Sequence, residues 1–109
     1  MTDSKPARYD TPTAIEAYRR AVEILATQNA PVRPRLLTAL EALQALQPDD
    51  VPASISAEHR RLWAAILSVT DSTGRGQITA FILSLSEVKI AELARSIVAS
   101  YVELNQSDA

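Results

Sequence analysis

The chain has 109 residues, 47% of them hydrophobic and 22% charged, with a formal net charge of -2 and no cysteine. That length and balance fit one globular domain with a core of its own. They exclude a disulfide framework, a thiolate metal site and a cysteine nucleophile, and they disfavour a generally basic nucleic-acid binder.

Residues 1–10 are polar and aperiodic, which predicts a flexible N-terminal arm. They lack the apolar stretch of a secretion signal, so cytoplasmic residence is the expectation. Thr11 followed by Pro12 reads as a helix start, a hydroxyl cap and then a proline whose missing N–H costs nothing there. Ile15, Tyr18, Val22 and Leu25 recur at helical spacing and carry this first helix to about residue 29. On its other face Glu16 with Arg20 and Arg19 with Glu23 have the i, i+4 separation at which side chains meet, so the arginine doublet reads as a solvated face.

Residues 29–34 (NAPVRP) break that helix, and Pro34 fits the first turn of the next. The second helix, residues 34–47, aligns Leu36, Leu40 and Leu43 among alanines of high helix propensity. Two prolines and two aspartates make residues 47–55 the longest break, ahead of a third helix capped at Ser56. Leu62, Trp63, Ile66, Val69 and Thr70 form its inward face, and His59 projects to the same side as a packed core residue.

Residues 71–77 (DSTGRGQ) hold both glycines, suited to a left-handed helix exit and a second turn. A nearly all-apolar fourth helix, residues 78–85, then meets a fifth that opens at Ser86 and Glu87. On the fifth helix Ile90, Leu93, Ala94, Ile97, Val98, Tyr101 and Leu104 make an apolar arc of roughly 180°, wide enough to touch two neighbours. Residues 78–104 are long enough for a bilayer, but Glu87, Lys89, Glu92 and Arg95 inside them exclude a span. Residues 106–109 read as a flexible tail. No alternating strand pattern interrupts the series. The expected fold is therefore all-α: a compact bundle of four to five helices in an up-and-down hairpin arrangement, one domain over residues 11–105.

Catalytic chemistry has little to rest on. His59 is the sole imidazole, Asp49 and Asp50 sit in an exposed linker, and the TGRGQ loop lacks the ending of a phosphate-binding P-loop. No cofactor or metal is implied. Residues 80–90 have the outline of a helix-turn-helix turn, but Glu87 and Glu92 on the second helix would oppose phosphates. The expected function is that of a non-enzymatic protein-interaction, assembly or regulatory subunit, self-association included, with Trp63, Phe81 and Tyr101 as candidate interface residues. The alternative is an anion or nucleic-acid binder. Arg33, Arg35 and Arg75 stand at the starts of the second and fourth helices, where the dipole disfavours cations; in an up-and-down bundle these starts share an end. Arg60 and Arg61 offer a separate basic surface for it.

Overall fold

A computed structural model describes residues 5–27, 29–46, 48–71 and 74–108, with side chains from residue 14 to residue 106 apart from Pro48. Among the described residues there are only helices and turns: α1 (Lys5–Thr27), α2 (Val32–Leu43), a 3-10 turn (Pro48–Asp50), α3 (Ala53–Leu67), α4 (Gln77–Ser84) and α5 (Glu87–Asp108). No helix among them is long and apolar enough to cross a membrane.

The apolar periodicity decides the packing. Ala14, Tyr18, Ala21 and Leu25 line one face of α1 and are buried against Leu36, Ala39, Leu40 and Leu43 of α2. The small residues Ala14, Ala21 and Ala39 are fully covered, which lets these two helices approach closely as a hairpin. Ile90, Ile97 and Leu104 recur every seven residues along α5 and are buried too, so one stripe of that helix enters the core over its whole length. α5 packs against α1, α2 and α3, which fits the wide apolar arc expected for it. Ile78, Phe81 and Ile82 close the core from α4, while Leu46 and Val51 pin the linker between α2 and α3.

The boundaries depart from the sequence expectation at several places. α1 is described from Lys5, so the Thr11-Pro12 pair lies within the helix and does not start it. α2 begins two residues before Pro34 and stops at Leu43, and α3 begins at Ala53, directly after Pro52. Pro52 flanks that start at φ -59° and ψ 155°, where it has no N–H to leave unpaired, so the helix opens directly after it and not at Ser56. α5 continues to Asp108, into the expected tail.

At the start of α5 the local chemistry works as the sequence suggests. After α3 it differs, because that helix ends at Leu67 with a right-handed Ser68, so Val69 and Thr70 lie outside it and Gly74 turns the following loop rather than capping the helix exit. Ser86 caps α5: its Oγ accepts the backbone N–H of Lys89 at 3.2 Å. Ser86→Ala should cost about 1 kcal/mol of stability in urea unfolding, and an unchanged midpoint would mean that water replaces the cap. Gly74 and Gly76 have φ of 76° and 104°, conformations that strain any side chain, and Asp71 holds the loop by accepting both of their N–H groups at 3.0 and 2.8 Å. Gln77 then donates to the carbonyls of Leu67 and Val69, satisfying acceptors at the end of α3.

Candidate functional site

The sequence-derived basic cluster does not assemble. Arg33 at the start of α2 reaches the end of α4, where its Nη1 donates to the carbonyls of Ile82 and Leu85 at 2.7 and 2.8 Å and its Nη2 to Glu87 at 2.8 Å. Arg35 donates in the same way to the Leu25 carbonyl near the end of α1. Each arginine thus stands at the start of its own helix and at the end of another, where the unpaired carbonyls and the negative pole of the dipole favour a cation. Arg75 lies elsewhere, in a cleft of about 250 Å³ shared with Glu41 and Gln44 at the far end of α2. The starts of α2 and α4 therefore lie at opposite ends of their contact. In the linker between α2 and α3, Leu46 and Val51 are buried, and the linker runs beside α1 before α3 begins.

The remaining candidate cations each have an acid nearby. Arg60 lies 3.8 Å from Asp49, with both side chains well exposed, and Arg61 pairs with Glu58 one turn away. Such exposed pairs contribute about 0–1 kcal/mol each. On α1 neither Glu16 with Arg20 nor Arg19 with Glu23 closes to ion-pair distance among the described residues. Asn105 instead donates its side-chain amide to the Tyr101 backbone carbonyl at 3.2 Å, and the polar side chains of Asn105 and then Arg19 near the Tyr101 phenol hold its ionisation below the usual range.

The three candidate interface residues are also separated. Phe81 is only 8% exposed and belongs to the core, which corrects its placement on a surface. Trp63 is half-buried beside Glu41, Gln44 and Arg75, with its indole N–H shielded and unpartnered, and Tyr101 is half-buried on α5. His59 has the expected core position. Its Nδ1 lies 2.8 Å from the Tyr18 hydroxyl, and its ring is tilted against both Tyr18 and Trp63. Burial lowers the His59 pKa; burial, and then the negative charge of Glu58, raises that of Tyr18. Both groups are neutral near pH 7.

The feature that single-residue reasoning missed is the outer side of α5. Val98 and Val102 remain 41% and 47% exposed on a helix whose opposite stripe is fully buried, and Ala99 between them is exposed as well. An open groove of about 560 Å³ lies along one flank, lined by Leu25, Val32, Arg35, Ala94, Arg95 and Val98. Along the other flank a groove of about 450 Å³ is lined by Ser54, Glu58, Glu92, Arg95 and Glu103 among others. A third, of about 260 Å³ between α3 and α5, has Leu62, Phe81, Leu85 and Leu93 beneath the Arg61–Glu58 and Lys89–Glu92 pairs. The wide apolar arc was legible in the sequence, but which part of it stays uncovered depends on where α1, α2 and α3 stop. Among the described residues no group of three acidic or histidine side chains is arranged to hold a metal ion.

Comparison with known proteins adds nothing further. No family model, curated protein or solved structure matches the chain.

Proposed function

We propose that this chain is a non-enzymatic interaction or assembly subunit that meets a protein partner through the outer face of α5. One observation carries the reading: Val98, Ala99 and Val102 form an exposed apolar ridge on a helix anchored in the core, with a groove on either side. Ridges flanked by grooves are the shape by which helices pack on one another. An uncovered apolar centre with a polar margin is the usual anatomy of a protein interface. The burial of His59, at 1% exposure, keeps the only imidazole from any substrate in solvent and supports the non-enzymatic part. The engagement of Arg33 and Arg35 with backbone carbonyls weighs against the anion-binding alternative.

The absence of cysteine from the sequence makes a direct test available. A Val98→Cys variant provides a single thiol on the ridge, and Leu83→Cys provides one on α4, at a position 56% exposed. Maleimide labelling of Val98→Cys should slow about tenfold or more in extract of the protein's own cells, relative to dilute purified protein, while Leu83→Cys labels equally in both. Equal labelling of Val98→Cys under both conditions would overturn the proposal.

A further inference from the structure

We infer that the partner of this face is a second copy of the same chain, docked by antiparallel pairing of α5 with α5 about a two-fold axis beside Ala99. The inference rests on the interaction reading above and adds the identity of the partner. It comes from the charges that remain once internal pairs are assigned. Glu58 is paired with Arg61, and Glu92 with Lys89. Arg95 and Glu103, both exposed, have no ion-pair partner among the described residues, although both line the same groove.

Arg95 and Glu103 stand four residues before and four residues after Ala99. They are separated by about 12 Å along the helix, too far to meet within one chain. A two-fold axis perpendicular to α5 at Ala99 reverses the second helix and brings Arg95 level with Glu103 of the other copy, twice. The same operation sets each flank of α5 against the same flank of its mate, as an isologous contact requires. The side bearing Val98, Val102 and the Leu25–Val32 groove then faces its own apolar counterpart, and the side bearing Glu103 faces its own counterpart too, where Arg95, which lines both grooves, supplies the arginine. Ala99 and Ser96 are small enough at the crossing for the helices to approach to about 8–10 Å. One rotation therefore covers the apolar ridge and completes both unpaired charges, an arrangement that an arbitrary partner would match only by coincidence.

The test is sedimentation of the purified full-length chain across a range of concentrations, with circular dichroism to show that each variant keeps its helices. The wild type should pass from monomer to dimer as concentration rises. Arg95→Glu places two glutamates at each crossing point and Glu103→Arg places two arginines, so either change alone should weaken dimerisation by about tenfold or more. The double exchange R95E/E103R should restore it, and so should mixing the two single variants, because each then supplies the charge the other lacks. A wild type that stays monomeric at every concentration would overturn the self-pairing, as would a dimer indifferent to both single changes. Slow labelling of Val98→Cys in extract would still stand in that case, so failure of the self-pairing is distinguishable from failure of the interaction reading.

Discussion

Arg33→Met should destabilise the protein by about 2–4 kcal/mol in urea unfolding, which makes this polar side chain as important as a large core residue. The size follows from what its guanidinium touches. Hydrogen bonds from a charged donor contribute about 1.5–3 kcal/mol each, and Arg33 makes two to the carbonyls of Ile82 and Leu85. The side chain is 26% exposed, so part of that is lost to competition with water. Its third bond, to Glu87, contributes little, because Glu87 is 79% exposed. Glu87→Gln should accordingly shift stability by less than about 1 kcal/mol. Arg33→Lys should recover only part of the loss, since an ammonium cannot reproduce the planar fork that spans Leu85, Ile82 and Glu87. A methionine variant as stable as the wild type would show that water satisfies the end of α4 equally well.

That arginine also marks the boundary of what sequence reasoning reached. The helix faces were legible because Tyr18 and Leu25, Leu36 and Leu40, and Ile90 and Ile97 recur with the helical period, and burial follows the period. The Ser86 cap and the turn at Gly74 and Gly76 were legible because each is decided within a few residues. The role of Arg33 was not, because its partners lie 49 to 54 positions along the chain. From sequence a cation at a helix start looks misplaced; in the fold it lies over the end of another helix, where the same dipole rule favours it. The candidate interface was half legible for a similar reason. The breadth of the apolar arc on α5 is local, but the burial of Phe81 and the exposure of Val98 depend on which neighbour each meets.

The buried Tyr18–His59 contact should show itself both in a mutant cycle and in acid. The phenol donates to Nδ1, which leaves the imidazole proton on Nε2, where no partner lies. The other tautomer would orphan the phenol proton as well, so the first is favoured. Tyr18→Phe then leaves Nδ1 bare, and His59→Leu leaves the hydroxyl bare; each should cost about 1–3 kcal/mol, the penalty for an unsatisfied buried polar group. The double variant Y18F/H59L removes both partners and should cost clearly less than the two single changes together. Protonation brings the second signature. Burial lowers the folded-state pKa of His59 below its unfolded value near 6.5, so the unfolded chain takes up the proton first. The stabilisation is fully present above about pH 6.5 and is lost as pH falls toward the lowered folded value, by up to about 1.4 kcal/mol per pH unit. Urea unfolding at pH 7.5 and pH 5.5 should show that loss in the wild type and a smaller one in H59L, which lacks the imidazole. Equal losses in the two proteins would mean that His59 is as easily protonated in the fold as in the unfolded chain, and strictly additive single changes would mean that the phenol and the imidazole do not depend on each other.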